Sequence, residues 1–161
     1  MFDLIAAFAT AVESSTLAQT LKFSRWGYAL ANTGHVLGIA LLVGSILPLD
    51  LRLLGVWGQT DRASLVRVLV PMAATGLVLA VMSGMLLFTV RAEDYVQVVL
   101  LYAKLCLIIT GTTLALLLHL RAGLWVERAS DRQLAFHGAA SLLCWLGALV
   151  CGRMIAYFPV I

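Results

Sequence analysis

Charged residues are scarce in this chain. Asp, Glu, Lys and Arg make up 12% of its 161 residues, whereas hydrophobic residues make up 62% and the mean hydropathy is +1.01. Soluble domains are about 25% charged, so this composition excludes an ordinary soluble protein. The net charge of +3 is spread over several loops without a basic run, so nothing supports a nucleic acid partner.

Cysteines and recognisable catalytic motifs are also few. Cys106, Cys144 and Cys151 are odd in number, lie in apolar stretches and show no CxxC spacing. We therefore expect packing residues, not a structural disulfide or a zinc site. The sequence lacks a nucleophile beside a base, a phosphate-binding loop and a metalloprotease motif, which disfavours hydrolysis and group transfer. No run rich in Pro, Ser or acidic residues indicates a linker, so we predict one bundle domain.

Four long apolar stretches make up most of the chain, at positions 26–49, 66–90, 97–120 and 133–157. A helix needs about 20 apolar residues to cross the hydrocarbon core of a bilayer, and each stretch is long enough. The sequence therefore predicts an all-α integral membrane protein in contact with the lipid bilayer. Its residues 25–161 should form an up-down four-helix transmembrane bundle.

The segment 1–24 has a different pattern. Its apolar residues recur at near-helical spacing and its polar residues occupy other faces, which predicts one or two short amphipathic helices in the membrane interface. A cleaved signal peptide is disfavoured, because an acidic residue and no Lys or Arg precede the weak apolar region.

Basic residues are unequally divided between the two sides of such a bundle. One side has Lys22, Arg25, Arg91 and Arg153, and the other has Arg52, Arg62, Arg67, Arg121, Arg128 and Arg132. The positive-inside rule places the richer side in the cytoplasm, so both termini should face the periplasm or its equivalent.

Small residues recur where helices could pack closely. Gly34 and Gly38 form a GxxxG motif that Ala40 and Gly44 extend, and Ala80 and Gly84 repeat the pattern in the second span. They should let helix backbones approach each other, and a cofactor pocket beside them is the alternative. The same motif would also serve a homo-oligomer.

Ionisable residues inside the spans are costly, and they mark candidate functional positions: His35, Lys104, His119, His137 and Arg153. At about 1.5 Å per residue, His35, Met82, Lys104 and Arg153 should lie at similar depths near the periplasmic side. Tyr28 and Asn32 share a helix face with His35. We therefore predict a cofactor site of His35, Tyr28, Asn32, Lys104 and Arg153 for haem propionates, a quinone head group or a lipid phosphate. The alternatives are that Lys104 and Arg153 reach toward the interface and that His35 is structural.

His119 and His137 should lie at one depth near the cytoplasmic side. Facing imidazoles commonly hold a b-type haem, although consecutive helices about 8–10 Å apart leave little room for one. Interfacial histidines beside lipid head groups are the other interpretation. A haem held by His35 with Met82 or Lys104 is a further possibility.

Asp50 and Arg52 follow Pro48 at the cytoplasmic end of the first span. The simpler interpretation is a charge cluster that holds the loop to Arg67 or Arg121. The alternative is an access point for protons or ions, which requires Asp50 to be partly buried.

The runs HVLGIALLVG at 35–44, DLRLLG at 50–55, GMLLF at 84–88, KLCL at 104–107 and GRMIAY at 152–157 resemble a family of small four-span bacterial inner-membrane proteins. That family is known only as a domain of unknown function. The resemblance covers nearly the whole chain and implies the fold, a bacterial cytoplasmic membrane and motif positions that include His35, Asp50, Arg52, Lys104 and Arg153. It implies no reaction. There is also a distant similarity to the membrane region of copper-resistance D proteins and to b-type cytochrome bundles, but the histidine pairs of a two-haem cytochrome are absent.

Two classes of function follow from these observations. The first is a redox subunit that binds haem b or a quinone in the bundle and passes electrons to a partner protein. The second is a non-redox transporter or an accessory subunit, for example one that passes copper through His35, Met82, Met85 and Cys106.

Overall fold

Helices account for nearly all the residues that the computed structural model describes, which are 2–123 and 129–157. In chain order they are α1 (Phe2–Glu13), α2 (Thr16–Phe23), α3 (Arg25–Leu53), α4 (Arg62–Val90), α5 (Ala92–Tyr95), α6 (Val99–Ala122) and α7 (Asp131–Ile155). The described residues contain no strand. The predicted all-α class is confirmed.

Four of these helices, α3, α4, α6 and α7, are long enough and apolar enough to cross a membrane. They confirm the four predicted spans, and the chain is a multi-pass membrane protein. Helices α3 and α4 extend beyond the apolar stretches, because their ends continue through polar turns. Helix α3, for example, continues past Pro48 to Leu53.

Helix starts follow from capping residues. Asp61 caps α4 by accepting hydrogen bonds from the Ser64 amide at 2.8 Å and from the Ser64 hydroxyl. These bonds lower the pKa of the exposed Asp61 carboxyl below its usual value. Ser130 and Gln133 form a reciprocal capping box at the start of α7.

The four spans form two antiparallel pairs, α3 with α4 and α6 with α7, and contact between α3 and α7 joins the pairs. Among the described residues, no extended packing joins α4 to α6, so the bundle is open on that side. We call the two ends of the bundle the Trp26 end, where α3 begins, and the Asp61 end, where α4 begins. A buried cluster closes the Asp61 end, and its members are Leu53, Val66, Leu118, Ala122 and Leu134.

Glycines set the distance between α3 and α4. A Cβ atom added at Gly38 would lie 2.5 Å from the Ala80 amide nitrogen, and one at Gly76 would lie 2.5 Å from the Leu42 amide nitrogen. The two backbones are therefore in direct contact, which confirms a packing role for Gly38 and Ala80. Gly44 has no neighbour within 4 Å and does not take part.

The N-terminal segment forms two short helices, α1 and α2, that lie against α4 and α5. Glu13 connects them to the bundle. Its carboxylate pairs with Lys22 at 3.1 Å and accepts a hydrogen bond from the Glu93 amide at 3.2 Å. The helices are confirmed, whereas their location in the membrane interface stays a prediction. Arg128, counted above in the orientation, lies outside the described residues.

Candidate functional site

His35 lies in the first half of α3, turned toward α4. Its Nδ1 atom is 2.8 Å from the Ala80 carbonyl oxygen and 3.3 Å from the Ser83 hydroxyl. A carbonyl can only accept, so Nδ1 carries the hydrogen, and in the neutral ring Nε2 then holds a lone pair. Nε2 is accessible at the protein surface, and no described residue forms a hydrogen bond with it. The imidazole is thus anchored at one nitrogen and reachable at the other.

Gly84 makes room for this imidazole ring. A Cβ atom added at Gly84 would lie 3.0 Å from His35 Cε1 and 3.3 Å from Nδ1. Ser83, the residue before it, is buried and donates its hydroxyl hydrogen to the Leu79 carbonyl. Together with Ala80, these residues hold the ring in one orientation against α4.

Lys104 brings a positive charge to the same region from α6. Its side chain lies against α7, where a Cβ atom added at Gly152 would be 3.2 Å from Nζ. The Lys104 ammonium and the His35 imidazole are near enough to interact electrostatically. The ion pairs among the described residues are Lys22 with Glu13 and Arg91 with Asp94. No described carboxylate therefore forms an ion pair with Lys104.

The other residues of the predicted site are placed differently. Arg153 is exposed, donates to the Tyr157 hydroxyl at 2.8 Å and stacks over its ring, which fits a cation that reaches toward the interface. Met82 is 61% exposed on the outer surface of α4. The predicted convergence therefore brings His35 and Lys104 together, but it includes neither Met82 nor Arg153.

The exposed Tyr28 and Asn32 lie on α3, between the Trp26 end and His35. Tyr28 is close enough to Tyr95 to interact with it electrostatically. Burial raises the pKa of the Tyr95 phenol, so this group stays neutral at physiological pH. Phe88 stacks on the Tyr95 ring with a centroid separation of 6.3 Å. Tyr28, Tyr95 and Phe88 therefore place aromatic rings near the Trp26 end of the bundle.

His119 and His137 lie at one level near the Asp61 end, as predicted. Gly111 of α6 is in contact with Trp145 of α7. From that contact toward the Asp61 end, His119 lies eight residues along α6 and His137 lies eight residues along α7. His119 Nδ1 donates to the Ala115 carbonyl at 2.8 Å. Its Nε2 atom and His137 Nδ1 are buried without hydrogen-bond partners.

Asp50 and Arg52 do not form the expected charge cluster. Arg52 holds the following loop through the carbonyl oxygens of Thr60, at 2.8 Å, and Gly58, at 3.1 Å. Asp50 is 4% exposed and faces α7, where the Ser141 hydroxyl lies near its carboxyl group. The burial that the alternative interpretation required is therefore present.

The sequence analysis missed the contribution of Ser83 and Ser141. Each is one small polar residue in an apolar helix, and such residues carry no distinguishing pattern of their own. The spacing of Ala80, Ser83 and Gly84 along one face of α4 was the available signal.

Comparison with known proteins adds no assignment. No family model, no curated protein and no solved structure matches this chain.

Proposed function

We propose that this chain is a small membrane redox subunit that binds a quinone head group beside His35 and Lys104. One observation carries the proposal. The His35 imidazole is fixed at Nδ1 and accessible at Nε2, and it lies near Lys104. Lys104 has no carboxylate partner among the described residues. A neutral acceptor and an ammonium donor suit a ligand with both carbonyl and hydroxyl states.

The open side of the bundle supports a ligand that arrives from the membrane. Quinones dissolve in lipid, and the absence of extended packing between described parts of α4 and α6 provides a lateral route toward the site. In this arrangement Lys104 donates a hydrogen bond to a quinone carbonyl, and His35 Nε2 accepts one from a quinol hydroxyl. Oxidation of the quinol to the quinone releases two electrons and two protons. The electrons pass to a partner redox protein, His35 Nε2 takes one proton, and water at the Trp26 end takes the other.

Haem b is the second candidate, and the His35 tautomer favours it. A metal-ligating histidine commonly donates its other ring hydrogen to a backbone carbonyl, as His35 does to Ala80. Lys104 would then hold a propionate. His137 is too far from His35 to be the second ligand of that haem. Its neighbour Gly138 is in contact with Asp50, and Asp50 lies about 22 Å from His35 along α3.

Copper transport has less support. Met82, Met85 and Cys106 are all exposed, whereas His35 is turned to α4. The described part of the chain contains no group of three His, Cys, Asp or Glu side chains arranged to hold a metal ion. An accessory role and membership of the uncharacterised bacterial family stay predictions, as do the inner-membrane location and the periplasmic termini.

Titration of the detergent-purified protein with a short-chain ubiquinone tests the quinone proposal. His35→Ala and Lys104→Gln should each weaken binding about tenfold, as expected for one hydrogen bond involving a charged or anchored group. His119→Ala is the matched control, since it removes a histidine near the opposite end of the bundle, and it should bind like the wild type. Equal binding by all four proteins would refute the site.

A reduced-minus-oxidised visible spectrum of protein expressed with haem precursor separates the two candidates. Sharp haem b bands that His35→Ala abolishes and His119→Ala retains would replace quinone by haem at this site. Bands that only His119→Ala abolishes would move the cofactor to the Asp61 end. A colourless protein that binds the ubiquinone would support the quinone site.

A further inference from the structure

A buried carboxyl group lies near the Asp61 end, away from the His35 site. Asp50 belongs to the last turn of α3, is 4% exposed, and has a buried Oδ2 atom without a hydrogen-bond partner. The other buried side-chain atoms without partners in the described residues are Ser45 Oγ, His119 Nε2 and His137 Nδ1. All four belong to the half of the bundle nearer the Asp61 end, so unsatisfied polar groups are concentrated there.

Contact with α7 fixes the position of this carboxyl group. A Cβ atom added at Gly138 would lie 2.9 Å from the Asp50 carbonyl oxygen and 3.1 Å from Leu53 Cβ. The α3 and α7 backbones therefore touch at this level. Ser141 lies one turn further along α7, and its hydroxyl is near the Asp50 carboxyl group. Across this contact the described residues leave Asp50 Oδ2 without a hydrogen bond.

Among the described residues, no ion pair compensates a negative charge on Asp50. Its helix neighbour Arg52 is turned to the loop carbonyls of Gly58 and Thr60. The ion pairs among the described residues involve other carboxylates, those of Glu13 and Asp94. Other ionisable side chains of the described helices at this end are Asp61, Arg62 and Arg67 around the start of α4, His119 and Arg121 on α6, and Asp131, Arg132 and His137 on α7.

An unpaired carboxylate is among the costliest groups to bury, whereas a protonated carboxyl group needs only ordinary hydrogen bonds. We propose that Asp50 is a proton-binding site at the contact between α3 and α7, neutral while the two helices are packed together. This proposal is independent of what binds at His35.

A cavity of about 440 Å³ lies at the same end of the bundle as Asp50, and in this proposal it is the source of the proton. Arg52, Arg62 and Asp131 contribute to its polar wall, and Leu53 and Leu134 contribute to its apolar wall. Leu53 follows Asp50 by three residues, and Leu134 precedes Gly138 by one turn. One apolar layer therefore separates the carboxyl group from the cavity at the predicted cytoplasmic side.

Loss of the proton would couple to helix packing. An ionised Asp50 needs water or a cation, whereas the close contact between α3 and α7 keeps this residue buried. The ionised form therefore favours separation of α3 from α7, and the protonated form favours the packed bundle. A proton taken up from the cavity would therefore stabilise the contact between the two helix pairs.

Infrared spectroscopy of the full chain in detergent tests this proposal directly. The wild type at neutral pH should show the carbonyl stretch of a protonated carboxyl group, shifted in D2O. Asp50→Asn should lose this band, and the matched control Asp61→Asn, which changes an exposed carboxyl group, should keep it. Absence of the band from the wild type, or its persistence in Asp50→Asn, would overturn the proposal.

A second measurement uses only the wild type and so does not depend on whether the variant folds. The midpoint of thermal unfolding should fall as pH rises above about 4, where Asp50 ionises in the unfolded chain, and should level off where the infrared band is lost. A hydrophobic carbodiimide, which reacts with protonated carboxyl groups, should label Asp50 in preference to Asp61 at neutral pH, as read by peptide mass spectrometry. Labelling of Asp61 alone, together with a midpoint independent of pH, would contradict the proposal.

Discussion

Replacing Gly38 by Ala should separate α3 from α4. The added Cβ atom would lie 2.5 Å from the Ala80 amide nitrogen, 2.9 Å from Ala80 Cα and 2.9 Å from the Gly76 carbonyl oxygen. All three neighbours are backbone atoms in a helix, so no side chain can turn away to relieve the overlap. The two helices themselves must move apart.

The size of the effect follows from these distances. Nonbonded carbon atoms are most stable about 3.5–4.0 Å apart, so the helices must separate by about 1 Å. Overpacking of this kind costs about 3 kcal/mol at its upper range, and the higher helix propensity of Ala returns about 1 kcal/mol. Gly38→Ala should therefore lower the free energy of unfolding by about 2 kcal/mol.

Gly44 offers a matched control in the same helix, since a Cβ atom there would have no neighbour within 4 Å. Gly44→Ala should leave stability unchanged or raise it by up to about 1 kcal/mol. Reversible unfolding in mixed micelles, followed by far-UV circular dichroism and the fluorescence of the buried Trp145, gives both values. Equal stabilities for the two variants would refute the packing argument.

Three further predictions concern the site, a helix cap and the N-terminal helices. Gly84→Ala should displace the His35 ring and weaken ubiquinone binding about tenfold, because the added Cβ atom would lie 3.0 Å from Cε1. Asp61→Ala should lower the midpoint of thermal unfolding at neutral pH, and its difference from the wild type should shrink as pH falls below about 4. The reason is that hydrogen bonds lower the pKa of Asp61 in the folded protein. Its contribution to stability is therefore present above the pKa of the unfolded chain, and it is lost as pH falls and the folded protein takes up the proton. Glu13→Ala should speed hydrogen exchange in α1 and α2 but change the stability of the bundle by less than about 1 kcal/mol, because the pair with Lys22 is partly exposed.

Two of these predictions have control variants, and the third has a contradicting outcome. Gly34→Ala should bind ubiquinone normally, because its Cβ atom would make only ordinary contacts of 3.8 Å or more. Asp61→Asn should keep much of the cap, since Asn also caps helices, and a loss as large as that of Asp61→Ala would show that the charge matters more than the hydrogen bonds. Unchanged hydrogen exchange in Glu13→Ala would mean that apolar contacts alone hold α1 and α2.

The sequence analysis located the candidate residues along the bundle axis but not around it. His35 and Lys104 lie in one region and His119 and His137 lie at one level, as the helical rise predicts. Met82 had a similar predicted depth, yet it lies on the outer surface of α4. Residue spacing measures depth directly, whereas the direction of a side chain depends on how each helix is rotated against its neighbours.

The surroundings of Gly38 and Gly44 differ for the same reason, as do those of Asp50 and Arg52. Apolar length and composition are local properties, so the sequence alone determined the membrane class, the four spans and their helical conformation. Only the tertiary structure decided that Gly38 touches Ala80 while Gly44 is open, and that Asp50 is buried against α7 while Arg52 holds a loop. Those outcomes depend on the fit between two helix surfaces, and no single stretch of sequence contains both surfaces.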